Sequence, residues 1–205
     1  MDHEYLIAGK MEKFDGVLTG NAIESLKCDD LDDVLKLQKS QRFKDVMQKV
    51  EAALLKGSEV PEHEIGLKDL EYLSEGIELE ISIIHNFIRD KYRMKFPELE
   101  SLVQDPIEYA RAVKKIGNET DLTEIDLEGL LPSAIIMAVS VTASTTRGKP
   151  LPEEVLQKTV EACDRVLDLD STRKKVLGFV ESKLASIAPN RSAIVGSAAV
   201  ANLER

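Results

Sequence analysis

The feature that most constrains the fold is a run of branched aliphatic residues whose spacing fits a helix and not a strand. Between residues 66 and 94 they stand 3, 4, 4, 3 and 4 positions apart: Leu70, Leu73, Ile77, Ile81, Ile84 and Ile88. This spacing places all six on one side of an α-helix, like a coiled-coil seam with one extra residue. The pattern therefore predicts a long helix whose apolar side is covered by another helix.

Two further seams follow near the C-terminus. Residues 156, 160, 163 and 167 are spaced 4, 3 and 4. After residues 168–172, of which four are polar, the positions 177, 180, 184 and 187 are spaced 3, 4 and 3. We expect the helix to break at 168–172 and the last seam to return along the first, as an elongated antiparallel, coiled-coil-like arm. The residues predicted to pack in this arm are Ile77, Ile81, Ile84, Ile88, Leu177, Val180 and Leu184.

Shorter helices are predicted elsewhere, so the expected fold class is all-α. The stretch between the seams should form a compact helical insert, with helices at 99–103, 106–116 and 130–145 and a final helix beginning at Pro152. The 130–145 helix is apolar nearly all round, so we expect it to be covered on every side. The predicted organisation is a weakly structured segment at 1–28, an N-terminal helix within 29–60 that starts at Asp29 or Asp30, and the arm at 66–186.

Composition excludes several classes of protein. The chain carries 37 acidic and 27 basic residues, a net charge of −10, which argues against a protein that coats DNA by neutralising phosphates. Aromatic residues make up 4% of the chain, and its 11 glycines and 7 prolines are too few for the turns of a β-sandwich. Two cysteines 135 positions apart suit a reducing compartment, and the first residues lack the pattern of a signal peptide.

No pattern typical of an enzyme or a cofactor site is present. His3, His63 and His85 are too far apart to share a metal by local spacing, and His85 is expected to be a packed helix residue. The hydroxyl-rich run 140–146 has no neighbouring base in the sequence, and phosphate-loop and dinucleotide-binding motifs do not occur. The predicted function is therefore non-catalytic, without a cofactor or a metal. Within 171–191, five basic residues against Glu181 indicate either a solvated helix face or a patch that faces phosphates.

Several ordered strings resemble the Nop-domain pre-mRNA-processing factors of the spliceosomal U4/U6 particle. They are IIHNFIRDKY at 83–92, FPELESLV at 96–103, VSVTASTT at 139–146, EACD at 161–164, FVESK at 179–183 and IAPN at 187–190. The resemblance covers about residues 32–199. The box C/D snoRNP core proteins share the FPEL and IAPN elements, but they differ after the central helix, where this chain has TASTTRG at 142–148.

The resemblance implies a nuclear assembly protein of the U4/U6 di-snRNP and the U4/U6-U5 tri-snRNP. Its implied partners are the U4 snRNA 5′ stem-loop together with the protein bound to its kink-turn, and U5 and other tri-snRNP proteins that contact the arm. A box C/D scaffold protein, or a generic helical interaction module without an RNA role, are the alternatives. Neither a membrane nor a small-molecule substrate is implied.

The resemblance also places the start of an α-helical Nop head at 187–205, with roughly a hundred further residues needed to complete it. The residues expected to contact the ribonucleoprotein are Lys183, Ala188, Pro189, Asn190, Arg191 and Ser192. Position 191 is arginine where the family usually has leucine. The segment either begins a helix whose amides receive a phosphate or forms the hinge between arm and head. From the net charge of −10 we expect weak binding to bare RNA, and because most of the head is absent we expect only weak binding even when the kink-turn protein is present.

Overall fold

The computed structural model describes residues 37–56, 66–122 and 125–187. Six helices lie in these ranges: α1 Gln41–Lys56, α2 Leu67–Tyr92, α3 Leu99–Leu102, α4 Pro106–Ile116, α5 Ser133–Thr145 and α6 Glu153–Ile187. Helices make up about three-quarters of the described residues, and no strand occurs among them. The prediction of an all-α fold is therefore confirmed.

Helix α2 follows the first seam closely. All six seam residues are at most 9% exposed, and four of them are fully covered. The helix ends at Tyr92, whose carbonyl oxygen accepts hydrogen bonds from the amides of Lys95 and Phe96, each at 2.9 Å. Pro97 follows at once and disfavours helical backbone at Phe96, so the chain turns here into α3.

The break expected at 168–172 is wrong, because α6 is a single helix of 35 residues. The five residues include neither glycine nor proline, so nothing in the backbone ends the helix there. Asp170 is 3% exposed, and one of its carboxylate oxygens lies 3.9 Å from the Arg111 guanidinium. The spacing pattern predicts a break in this stretch, but the helix continues and the fold gives the most buried charge of the stretch a partner of opposite sign.

The buried side of α6 is also displaced from the predicted seam. Its buried side chains are Thr159, Ala162, Cys163, Val166, Leu169, Asp170, Val176 and Phe179, whereas Leu177 and Val180 are half-buried. An α-helix has 3.6 residues per turn, so a seam with a 3.5-residue repeat rotates around it by about 20° per heptad. A seam counted afresh after an assumed break is therefore out of phase with the buried side of the continuous helix. The side chain of Leu184 lies outside the described residues. Contact between Ile81 or Ile84 and the 177–184 seam stays a prediction.

Helix α1 begins later than expected. Residues 37–40 form a turn and the helix starts at Gln41, so it does not run unbroken from Asp29 or Asp30, which lie outside the described residues. Ser40 explains the start, since its hydroxyl donates to the Leu37 carbonyl at 2.7 Å and accepts from the Phe43 amide at 3.2 Å. A serine that satisfies an otherwise unpaired first-turn amide is a favoured N-cap.

The described residues fall into two compact units. One contains 78–122 and 125–170, and the other contains 37–56, 66–77 and 171–187. In the second unit α1 contacts both long helices. Arg42 pairs with Asp69 at 3.0 Å, and Lys175 donates to Glu51 at 2.9 Å. Leu37 packs so closely on Gly76 that a Cβ there would lie 2.8 Å from the leucine Cδ1.

Helix α5 contradicts the expectation that it is covered on every side. Eight of its thirteen residues are apolar, yet Val139 is its one buried residue. Met137 is 71% exposed and Val141 is 63% exposed. Helix α4, of similar length, buries six of its eleven residues in the same unit. Helix α5 is thus held within the insert by one side, where it contacts α3.

Candidate ribonucleoprotein interface

Most of the residues predicted to contact RNA lie outside the described chain. Ala188, Pro189, Asn190, Arg191 and Ser192 all follow residue 187, and Lys183 lies in the last turns of α6 with its side chain outside the description. The described element that leads into this segment is the end of α6.

The basic stretch at the end of α6 is engaged in contacts within the protein. The ammonium group of Lys175 binds the Glu51 carboxylate on α1, and Arg173 and Lys174 also take part in polar or charge interactions. Phe179 on the same stretch is 4% exposed. Lys175 therefore pairs within the protein, between α6 and α1, which favours the structural interpretation of this charge over a patch that faces phosphates.

The joint between α2 and α3 is fixed by a shared carboxylate. Glu100 accepts a hydrogen bond from Arg89 at 2.5 Å through Oε1 and from Arg93 at 3.3 Å through Oε2. The Arg89 and Glu100 side chains are about one-third exposed, so water screens the pair only in part. Because both carboxylate oxygens are used, Glu100 sets the angle at which the short helix leaves α2.

Aromatic contacts fasten α2 to α4. The His85 ring meets the Tyr109 ring edge-on, with centroids 5.2 Å apart and planes at 83°. The Tyr92 hydroxyl donates to the Gly117 carbonyl at 2.8 Å, at the end of α4. Burial, with a smaller contribution from the Arg89 charge, lowers the pKa of His85 to about 4. The histidine is therefore a neutral packing residue, as expected from its position on the helix.

Helix α4 is tied to α6 by charge pairs. Asp105 caps α4 by accepting from the amides of Ile107 and Glu108, at 2.9 and 2.8 Å. Lys114, near the end of α4, donates to Asp164 on α6.

Cys163, beside Asp164, is fully buried, and burial raises the pKa of its thiol to about 12. This cysteine is consequently protonated and inert at neutral pH, which argues against a nucleophilic role.

The connection from α5 to α6 is held by backbone contacts. The Lys149 amide donates to the Met94 carbonyl at 2.8 Å, and the Thr146 hydroxyl donates to Glu98 at 2.8 Å. Asn118 binds both backbone groups of Leu151, donating to its oxygen at 2.9 Å and accepting from its nitrogen at 2.8 Å. A Cβ on Gly148 would lie 1.7 Å from the Lys95 carbonyl oxygen. The close approach requires glycine.

The hydroxyl-rich run of α5 shows no catalytic arrangement. Ser144 donates to the Val141 carbonyl at 2.7 Å and Thr145 to the Thr142 carbonyl at 3.0 Å, so both hydroxyls bond to their own helix. Within the described ranges, no group of histidine, cysteine, aspartate or glutamate side chains has the arrangement of a metal site. Likewise, none of the described helices has the length and apolar character needed to cross a membrane.

Sequence reasoning did not identify the residues that fix the insert. Gly117-Asn118 is a pattern typical of a helix end, and Gly148 lies in the Gly148-Lys149-Pro150 string that ends the central helix. The Gly117-Asn118 and Gly148-Lys149-Pro150 strings were the available signals. Neither string shows which backbone the glycine or the asparagine approaches, because those partners lie 33 or more positions away.

Comparison with known proteins places this architecture in a family. Residues 73–203 match the family model Nop, described as snoRNA binding domain, fibrillarin. The U4/U6 small nuclear ribonucleoprotein Prp31 homolog of Arabidopsis thaliana is 63% identical over 191 residues, 88% of this chain and 39% of the relative. The U4/U6 small nuclear ribonucleoprotein Prp31 of Homo sapiens is 42% identical over 87% of this chain and 38% of the relative. The chain thus spans less than half the length of these relatives.

The nucleolar branch is more distant. Nucleolar protein 58 of Schizosaccharomyces pombe is 31% identical over 131 residues, 64% of this chain and 26% of the relative. The resemblance noted in the sequence strings is confirmed, and the chain belongs to the Nop family, in which it is more similar to these Prp31 proteins than to this nucleolar protein.

Proposed function

We propose that this chain acts as a non-catalytic assembly protein of the spliceosomal U4/U6 small nuclear ribonucleoprotein, in the nucleus. The observation that carries the proposal is the 63% identity, over 88% of the chain, with a plant protein named for that particle. The structure is compatible with a scaffold, since polar side chains at α2, α3, α4 and α6 pair with one another. Burial holds the Cys163 thiol in its protonated form by raising its pKa to about 12, which gives no support to catalysis by that group.

The proposed RNA target is the U4 snRNA 5′ stem-loop together with the protein bound to its kink-turn. In this proposal the segment 187–192 and Lys183 contact the composite surface, and Asn190 and Arg191 supply polar and charged groups to phosphates. The arm at 66–186 contacts U5 and other tri-snRNP proteins, and so bridges the two particles. The net charge of −10 supports recognition of a composite surface over adhesion to bare RNA.

A binding assay with labelled U4 stem-loop tests the RNA part of the proposal. The 205-residue chain should bind the stem-loop that carries its kink-turn protein more tightly than the bare stem-loop. It should also prefer that complex over a box C/D RNA carrying the same protein. A plot of log affinity for bare RNA against log salt concentration should have a shallow slope, because few phosphates are neutralised and each contributes only about −0.7 to −0.9. Tight, steeply salt-dependent binding to the bare stem-loop would overturn the division of roles.

Matched variants locate the contact. The double substitution Asn190→Ala with Arg191→Ala should weaken binding to the RNA–protein pair by about tenfold or more, since a hydrogen bond to a charged group contributes about 1.5–3 kcal/mol. Lys44→Ala removes one positive charge at an exposed position of α1 and should leave the affinity unchanged. Equal effects of both variants would show that general charge, and not the 187–192 segment, governs binding.

The box C/D scaffold is the second candidate. The family description names a snoRNA-binding domain, and a nucleolar protein is 31% identical, which are the observations in its favour. The competitor RNA in the same assay decides between them. Preference for the box C/D complex would assign this chain to guide-RNA particles.

A further inference from the structure

The exposed face of α5 is the least explained surface of the described chain. Ala134, Met137 and Val141 are exposed and are spaced 3 and 4 positions apart, so they share one face, opposite the buried Val139. Apolar residues at the centre of a helix face normally mark contact with another element. Scattered single exposures need no explanation, but a continuous stripe does.

The polar residues at the edge of this face can be removed from water at little cost in lost hydrogen bonds. Ser144 and Thr145 flank the stripe, and each already donates its hydroxyl hydrogen to a carbonyl of α5. A hydroxyl that is satisfied within its own helix loses less when a partner covers it. The stripe can therefore be covered together with its polar rim.

Opposite charges stand at the two ends of α5. Asp126 and Glu128 are exposed in the segment that leads into the helix, and Arg147 and Lys149 are exposed just beyond its end. Ordinary helices carry acids in the first turn and bases in the last turn, because of the helix dipole. Such a helix lying antiparallel to α5 places its acidic start beside Arg147 and Lys149 and its basic end beside Asp126 and Glu128.

The size of the face argues against a second copy of this chain. A helix of 13 residues is about 20 Å long, so one side covers roughly 300 Å². Stable interfaces bury about 800 Å² on each partner. A contact this small suits a helix whose own protein is held nearby by other contacts, since effective concentration then compensates for weak affinity.

We propose that the Ala134, Met137 and Val141 face of α5 binds an antiparallel amphipathic helix of another protein, with an acidic first turn and a basic last turn. The proposal rests on the proposed assembly function for the source of that helix, a protein of the same particle. It assigns a face and a partner chemistry to an arm contact that was otherwise unspecified.

A designed peptide tests the proposal without RNA or other proteins, at peptide concentrations up to the millimolar range because a contact this small is weak by itself. No binding of either probe at these concentrations would overturn the proposal. The probe is a fluorescent 14-residue helix with leucine and alanine at positions i, i+3, i+4 and i+7, two glutamates in its first turn and two lysines in its last turn. The control probe has the same composition with the glutamates and lysines exchanged. We expect the first probe to bind the 205-residue chain about tenfold more tightly, because each exposed charge pair contributes a modest amount. Equal affinity of the two probes would overturn the proposed orientation.

Variants locate the site. Met137→Glu and Val141→Glu should each weaken binding of the first probe by about tenfold or more, since each removes apolar contact and adds a charge at the centre. Leu54→Glu changes an exposed apolar residue on α1 and should have no effect. Reversing the basic pair, Arg147→Glu with Lys149→Glu, should reduce the preference between the probes by about tenfold. Binding unaffected by Met137→Glu and Val141→Glu would refute the assignment of the face.

Photo-crosslinking distinguishes the proposed partner helix from a second copy of the chain or another part of the same chain as the occupant of this face. With p-benzoylphenylalanine in place of Met137, crosslinks to the first probe support the proposal. Crosslinks to a second copy, or to the chain's own residues even with the probe in excess, overturn it in favour of self-association or internal cover. The RNA assay above does not involve α5. Failure of the peptide test with intact RNA–protein binding would therefore remove this inference alone, and the converse result would remove the proposed RNA target alone.

Discussion

Substitution of Asn118 by alanine is the sharpest test of how the insert is held together. The asparagine amide makes two hydrogen bonds to the backbone of Leu151, at 2.9 and 2.8 Å, across 33 positions of sequence. Leu151 itself is 4% exposed. Asn118→Ala removes both bonds at once and leaves an N–H and a C=O of a buried residue without these partners.

The expected cost follows from the two orphaned groups. A buried donor or acceptor left unsatisfied costs about 1–3 kcal/mol. Asn118 is half-buried, so water reaches part of the space that its side chain vacates and the cost falls toward the lower end for each group. We expect the free energy of unfolding to fall by about 2–3 kcal/mol, a large fraction of the stability of an ordinary domain.

Urea unfolding followed by far-UV circular dichroism measures the change, and hydrogen exchange at the Leu151 amide reports the same bond locally. Thr120→Ala changes an exposed residue two positions further on and should alter stability by less than about 0.5 kcal/mol. A change for Asn118→Ala as small as that of the control, with unaltered exchange at Leu151, would show that the two bonds add nothing net to stability.

Three further outcomes are expected. Gly148→Ala should destabilise the insert by about 1–3 kcal/mol, since the new Cβ would lie 1.7 Å from a backbone oxygen. Gly178→Ala, in open space on α6, should instead stabilise the chain by about 0.5–1 kcal/mol. The urea midpoints of the two variants test both expectations. The pKa of His85 is about 4 in the folded chain and 6.5 ordinarily, so the unfolded chain binds the proton first as the pH falls. The contribution of neutral His85 to stability is therefore complete above about pH 6.5 and is lost as the pH falls toward 4. The difference in urea midpoint between pH 7 and pH 4 should accordingly be smaller for His85→Phe than for the unaltered chain, and an equal difference would contradict the burial of the imidazole. Finally, alkylation of Cys163 by iodoacetamide, mapped by mass spectrometry, should be slow in the folded chain and fast in 8 M urea; rapid labelling without denaturant would contradict its burial.

Local chemistry determined where most helices lie. The 3- and 4-residue spacing of aliphatic residues identified α2, and Pro106 together with Gly117 gave the bounds of α4, because these signals act within one or two turns. The ordered strings were also long enough to indicate the family, which the comparisons confirmed. These conclusions did not require knowledge of which residues meet in space.

Tertiary structure decided the rest. The mostly polar residues at 168–172 predict a break, but α6 continues, and within it Asp170 lies 3.9 Å from Arg111 of a helix more than fifty positions earlier. The composition of α5 suggested a fully covered helix, but burial depends on how many neighbours the fold brings to it, and here only one side is covered. Gly148 and Asn118 fix the insert through partners distant in sequence, and no local pattern encodes such a partner, since periodicity reports only which side of a helix is apolar and not what lies against it.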